Sequence, residues 1–381
     1  MANELPEDLV TQILLWLPVV SLLRFKCVCK SWYALITHQN FVRKHLLHNN
    51  NNSNTHLLLK TSNKTMDDYV VSTISYEELQ ISPLTQPLPP QYFRNDEPFG
   101  EMFSISVVGS CNGLVCLHAY NTLNVVIWNP TTKETKVVPE SNLPIFAPAG
   151  YCTLIQDMGF GFDAKTNDYK IINFVSMYEP NFDDYVMKDV KEIIYQKEVY
   201  SLSTDSWRKV DGPQCFIASG THTTGMGSWL AYVEDPKLFV LSFDMSDEVF
   251  LKTPLPDNVT GQSLFMLNES IAMVALMPFD ERWREIGYDI WLLLKVGVKD
   301  SWNRLFTIGP SIARIHQPLG FWKNDTMFLT KIDSGQLFLY DPSTQQMTDL
   351  QIHGHSDSKE MQLVTYMETL VSVKGGNESE E

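Results

Sequence analysis

Residues 199–210 read Val-Tyr-Ser-Leu-Ser-Thr-Asp-Ser-Trp-Arg-Lys-Val. A β-branched and aromatic run, a polar Ser/Thr/Asp break and a second such run spell a strand, a tight reversal and a return strand. The unit recurs. Val126-Ile127-Trp128-Asn129-Pro130 leads to Lys136-Val137-Val138, and Phe239-Val240-Leu241-Ser242-Phe243-Asp244 leads to Val249-Phe250-Leu251. Ile290-Trp291-Leu292-Leu293 precedes Ser301-Trp302-Asn303-Arg304-Leu305, and Leu337-Phe338-Leu339-Tyr340-Asp341-Pro342 precedes Gln346-Met347-Thr348. Another hairpin stands before most copies, with Asn112-Gly113 and Asp333-Ser334-Gly335 as turns. Four strands every roughly 40 to 50 residues make a propeller blade, and the available length predicts about six blades. The long interval between Ile127 and Val199 predicts insertions around residues 140–150 and 179–191. Leu363–Tyr366 with Leu370–Val373 is expected to share a blade with Leu57–Lys60 or Tyr69–Ile74, which would leave no exposed edge. A pair of packed sandwiches is the alternative arrangement of the same strands.

The first fifty residues follow another period. In Leu5-Pro6-Glu7-Asp8-Leu9, Pro6 suits a helix start, and the two acids suit the positive end of the helix dipole. Leu9, Ile13, Leu14 and Leu17 then recur at helical spacing until Pro18. Ser21 is a candidate cap for a second helix, Trp32, Leu35 and Ile36 mark a third, and Phe41, Val42 and Leu46 mark a last turn. So small a core cannot bury Leu5, Leu14, Leu17, Leu22, Val28 and Trp32 among themselves. Some should face either a second polypeptide or the following domain. The polar run His48–Asn54 reads as a linker. The expected fold class is α+β multidomain, a three-helix N-terminal unit before an all-β propeller. The boundaries expected are 1–48 for the helices, 49–55 for the Asn-rich linker, 56–373 for the propeller and 374–381 for an acidic tail.

Composition narrows the partners. The chain has 381 residues, 44% hydrophobic and 19% charged, with a net charge of −16, which disfavours nucleic acid and anionic membrane surfaces. Residues 1–48 hold three acids against five bases, so the −16 total leaves −18 for the remainder. Loop acids at Asp67, Asp68, Asp96, Glu97, Glu179, Asp183, Asp184, Asp247, Glu248, Asp280 and Glu281 are candidates for steering a basic target, or they serve only solubility. Glu4, Glu7 and Asp8 stand where a signal peptide needs a basic stretch, and no apolar run is long enough for a membrane span, so a cytoplasmic location is expected, with nuclear entry left open. The six cysteines show no framework spacing and read as reduced core residues. Gly159-Phe160-Gly161 lacks the third glycine and the strand-to-helix turn of a dinucleotide loop. No catalytic residue, metal ligand set or cofactor site is expected.

Leu5-Pro6-Glu7-Asp8-Leu9, Ile13-Leu14, Leu17-Pro18, Ser21-Leu22, Arg24-Phe25, Val28-Cys29-Lys30-Ser31-Trp32, Leu35-Ile36 and Phe41 together resemble the F-box of plant F-box proteins. That resemblance implies a Skp-type adaptor, and through it a cullin, contacted at Leu5, Pro6, Ile13, Leu14, Leu17, Leu22, Arg24, Val28 and Trp32. The long second region resembles the F-box-associated β domain of plants. Gly159–Ile172, Ser201–Val210 and the phrases from Asn268 to Asp325 resemble the S-locus F-box and S-locus F-box-brother group. Proteins of that group recognise style ribonucleases in self-incompatibility. The repeat departs from true kelch, since its one adjacent glycine pair is Gly375-Gly376. The function implied is a non-catalytic substrate-recognition subunit of a Skp–cullin–F-box ubiquitin ligase. The alternatives are a receptor for an unrelated hormone- or stress-signalling target, and a propeller hydrolase or sugar-binding protein.

Overall fold

The computed structural model describes residues 6–51, 55–62, 69–75, 79–84, 105–119, 124–141, 151–178, 193–222, 225–233, 237–267, 269–277, 287–309, 315–323, 326–331, 335–353 and 361–374. Four helices open the chain: Glu7–Leu15 (α1), Val19–Phe25 (α2), Lys30–Thr37 (α3) and Gln39–Asn51 (α4). The expected last turn is thus a full helix. It continues through the first Asn residues to Asn51, into the stretch 49–55 expected for the linker, and the first strand starts at Thr55.

Six four-stranded antiparallel sheets follow. Blade 1 holds β1 (Thr55–Ser62), β2 (Tyr69–Ser75) and β3 (Ile81–Pro83), and its inner strand is the last of the chain, β24 (Gln362–Met367). Blade 2 is β4 (Ile105–Cys111), β5 (Leu114–Ala119), β6 (Val125–Asn129) and β7 (Glu134–Val137). Blade 3 is β8 (Cys152–Asp163), β9 (Asp168–Tyr178), β10 (Ile193–Ser201) and β11 (Ser206–Lys209). Blade 4 is β12 (Phe216–His222), β13 (Met226–Tyr232), β14 (Phe239–Asp244) and β15 (Phe250–Pro254). Blade 5 is β16 (Thr260–Leu267), β17 (Ser270–Leu276), β18 (Tyr288–Leu293) and β19 (Trp302–Ile308), and blade 6 is β20 (Ile315–Phe321), β21 (Met327–Lys331), β22 (Gln336–Asp341) and β23 (Gln346–His353). The inner strands β24, β4, β8, β12, β16 and β20 touch in that order and return to β24, so the ring is closed and the sandwich alternative falls.

Local chemistry sets the turns. Asn129, Asp163, Asp244 and Asp341 end a strand, and each Oδ1 accepts the backbone N–H groups two and three residues on, at 2.8–3.4 Å. Four residues on, Lys133, Asn167, Glu248 and Gln345 take φ between 55° and 65°, the left-handed step that turns the chain into the return strand. Inner strands of blades 2 to 5 carry a one-residue register shift, at Val107/Gly109, Ile155/Asp157, Ile217/Ser219 and Gly261/Ser263. A bulge frees backbone groups from the ladder. Two are answered by the preceding blade: Gln362 Oε1 accepts Val107 N–H at 2.8 Å, and Gln156 Oε1 accepts Ile217 N–H at 2.9 Å. Between blades, apolar side chains make the core, for example Phe174 edge-on to the fully buried Trp229 with centroids 4.7 Å apart. Cys111 and Cys116 join this core, whereas Cys27 and Cys29 are exposed, contrary to the core position expected for them.

The closing strand corrects one expectation. Leu363–Tyr366 lies in β24 and pairs with Leu57–Lys60, but Leu370–Val373 makes no strand. It runs instead as a strap between the propeller and the helices. Leu370 packs in the helical core with Leu14, Val19, Leu22, Ile36 and Phe41, while Val373 packs between blades 2 and 3. Asn129 Nδ2 donates to Thr369 O at 3.3 Å and Val371 O at 2.7 Å, and Glu134 Oε2 accepts Val373 N–H at 3.1 Å. The three other turn residues are Asp. Asn stands at 129 because a carboxylate has no donor for the strap. Asn129→Asp should therefore keep the turn yet face two carbonyls with a buried charge, lowering stability by about 2 kcal/mol or more in chemical denaturation. An unchanged midpoint would remove the strap from the account.

Candidate adaptor-binding surface

Pro6 holds φ −54° and ψ 139°, and its carbonyl accepts the N–H groups of Leu9 and Val10, starting α1 with Glu7 and Asp8 in the first turn. Pro18, at φ −58°, starts α2 in the same way. The three short helices and α4 then divide their apolar residues in two. Leu14 (1% exposed), Val19, Leu22 (0%), Ile36 and Phe41 close the interior together with Leu370. Leu9, Ile13 (53%) and Trp16 (72%) form an exposed stripe at helical spacing on α1, and Val20, Val28 (61%) and Tyr33 are exposed beside the later helices.

This division sorts the residues expected at the adaptor. Pro6, Ile13, Arg24 and Val28 are exposed. Leu17 and Trp32 are half-buried, the latter against Phe25 at 5.3 Å between ring centroids. Leu14 and Leu22 are interior: their own chain, Leu370 included, already covers them, so they shape the surface from beneath. Leu5 lies outside the described residues. Leu9, Trp16, Val20 and Tyr33 are exposed apolar residues outside that expected set, although the i, i+4, i+7 spacing of Leu9, Ile13 and Trp16 carries the signal for the first two.

Behind the surface, His45 ties α4 to the end of α1. Its Nε2–H donates to Leu17 O at 3.0 Å, and Asn49 Nδ2 donates to Nδ1 at 3.4 Å, the neutral tautomer. Burial holds this imidazole below its ordinary range, with the Leu17 bond opposing. A cleft of about 400 Å³ separates Trp16, Leu17 and His48 from His56 and Glu368 on the propeller side. Burial pushes the Glu368 carboxyl up, and His56 opposes it.

Family models match both parts of the chain: an F-box domain over residues 3–44 and an F-box associated beta propeller domain over residues 58–373. The chain belongs to the F-box-associated β-propeller family. It is similar to the F-box/kelch-repeat protein At3g23880 of Arabidopsis thaliana, at 27% identity over 97% of this chain and 96% of that one. It is also similar to the F-box protein At3g07870 of the same plant, at 28% identity over 92% and 88%. An F-box joined to a six-bladed propeller supports a substrate-recognition role in a Skp–cullin–F-box ligase.

Of the acids expected to steer a target, Asp67, Asp68, Asp96, Glu97, Glu179, Asp183, Asp184, Asp280 and Glu281 lie outside the described residues. Asp247 and Glu248 do not stand free. Asp247 pairs with Lys165, and Glu248 pairs with Arg208 and with Lys170 at 2.8 Å. Lys170 Nζ also reaches Asp163 Oδ2 at 2.6 Å and Met245 O at 2.9 Å, joining the turns of blades 3 and 4. Burial would raise Asp163 and Glu248, yet these cations hold both below their ordinary ranges. Glu248 is therefore a structural ion, whereas Asp247 meets Lys165 in a pair exposed on both sides.

The His45 tie has a pH signature. A folded pKa below the unfolded one near 6.5 means that stability present at higher pH is lost as pH falls through about 6.5. Between about pH 7 and pH 5 the wild type should lose more stability than His45→Gln in parallel thermal unfolding, and equal losses would show that the tie is not proton-linked.

Proposed function

We propose that the chain is the non-catalytic, cytosolic or nuclear substrate-recognition subunit of a Skp–cullin–F-box ubiquitin ligase. The exposed α1 stripe of Leu9, Ile13 and Trp16 carries the reading, because it is apolar, contiguous and left open by the chain's own core. An adaptor's apolar groove would cover it, with Pro6, Leu17, Arg24, Val28 and Trp32 around it, and Leu5 joining from the residue before. The ligase gains from such a subunit proximity rather than chemistry: a bound target sits at high local concentration beside the charged enzyme.

Because Ile13 and Trp16 face water, they can be changed without opening the core. Ile13→Glu with Trp16→Ala should weaken Skp-type adaptor binding at least about tenfold in a calorimetric titration while leaving the unfolding midpoint in place. Leu14→Ala, by contrast, should cost about 2–5 kcal/mol of folding stability. Full adaptor affinity in the double variant would end the proposal.

For the target we take a basic polypeptide, since the acidic excess lies outside residues 1–48. Style ribonucleases, met through the resemblance to the S-locus group, are one such class. Affinity of the full chain for a basic ribonuclease should fall as salt rises from about 50 to about 300 mM, and a flat response would count against electrostatic capture.

A further inference from the structure

The central channel is not uniformly apolar. Between the inner strands of blades 1 to 4 lies a pocket of about 230 Å³ whose polar lining is Ser106, His118, Gln156, Asp157 and Gln362, with Gly220 opposite. Ser106 and Gln362 stand at the starts of β4 and β24, whose far ends meet the strap under the F-box, so this part of the lining lies away from the F-box. Most of these groups are spoken for. Gln362 caps Val107 N–H and donates to Ser106 Oγ at 3.1 Å. Among the described residues Gln156 uses only its carbonyl, and its buried Nε2 has no hydrogen-bond partner. Asp157 Oδ1 accepts Met158 N–H at 2.8 Å, and no cation pairs with the carboxylate among the described residues. At Gly220 a Cβ would lie 2.3 Å from the Trp229 ring and 2.9 Å from Asp157 Oδ2, so glycine keeps the space before the carboxylate open.

Two adjacent residues lining one small cavity thus carry an uncompensated acid and an amide donor left without a partner among the described residues. A ligand that answers both must bring a positive hydrogen-bond donor for Asp157 and an acceptor for Gln156 Nε2. The volume, below the roughly 300 Å³ of a typical small-molecule site, admits a head group rather than a large ligand. We propose that this pocket receives one protonated amine carrying a hydroxyl or carbonyl oxygen on the neighbouring carbon. That chemistry belongs both to free amino alcohols and to the N-terminal residue of a polypeptide. Burial pushes the Asp157 carboxyl up to about 7. His118 on β5 is the other titratable side chain lining the pocket, while β12 and β24 contribute Gly220 and Gln362. Amine binding must therefore displace the Asp157 proton and strengthen as pH rises.

The test is calorimetric titration of the full chain. Ethanolammonium should bind at one saturable site and propylammonium, which lacks the acceptor, several-fold more weakly, with no binding of ethylene glycol. Affinity for ethanolammonium should rise about tenfold from pH 6 to pH 8, following the deprotonated fraction of a group titrating near 7. Asp157→Asn, an isosteric change that removes a buried charge, should abolish binding. Tetraglycine amide binding as tightly as ethanolammonium identifies a polypeptide N-terminus as the source, and ethanolammonium binding alone identifies a free amine. The assignment is overturned if no saturable site is found, if ethylene glycol binds equally, or if Asp157→Asn leaves affinity unchanged. Should that variant fail to fold, a pH-independent affinity in the wild type overturns it equally. The inference stands apart from adaptor binding, which is measured separately.

Discussion

The ladder between β24 and β1 is the constraint on which the rest of the molecule depends. It joins the last strand of the chain to the first, from Thr55 opposite Met367 to Lys60 opposite Gln362. Each blade can bury its faces only against two neighbours, so an open ring would leave two apolar sheet faces and two edges in water. Closure also fixes where the chain ends. Because β24 finishes beside the start of β1, residues 368–373 emerge where α4 enters the propeller, and they become the strap under the helices.

The strap explains how so small a helical unit can keep an apolar surface exposed. A four-helix unit of this length has little interior of its own. Leu370 enters that interior from the far end of the sequence, and Asn129 and Glu134 hold the segment that carries it. Lys26 of the helical unit lies in the field of the same Glu134, which opposes the lowering effect of its burial. Folding of the F-box core and closure of the propeller are thereby linked. The stripe of Leu9, Ile13 and Trp16 can remain open for a partner because the opposite face is already covered.

Charge follows the same division between structure and function. Lys170 with Asp163 and Glu248, and Lys136 with Asp205 at 2.7 Å, act as rivets between or within blades. Asp157 has no such partner among the described residues and lines the channel pocket. Neutralised acids hold the ring together, while an uncompensated one marks a place for something else to bind.

From the sequence alone came the repeat, the blade arithmetic and the helical start, because these are local: alternating β-branched and aromatic residues, Asx turns and proline-initiated helices are set within a few neighbours. That the last strand closes the first blade was also legible, since a ring of sheets must close, but the choice between residues 57–60 and 69–74 as its partner was made by the fold. What only the tertiary structure decided was non-local. Leu14 and Leu22 read no differently from Ile13 in the sequence, yet they are buried, in a cluster completed by a residue more than three hundred positions away. Val371 and Val373 have the composition of a strand and become a strap, because no ladder partner is left at that end of the blade. Glu248 looked like a loop acid until folding set Lys170 and Arg208 against it. Periodicity records which way a side chain points along its own element, and only the assembled fold determines what it meets there.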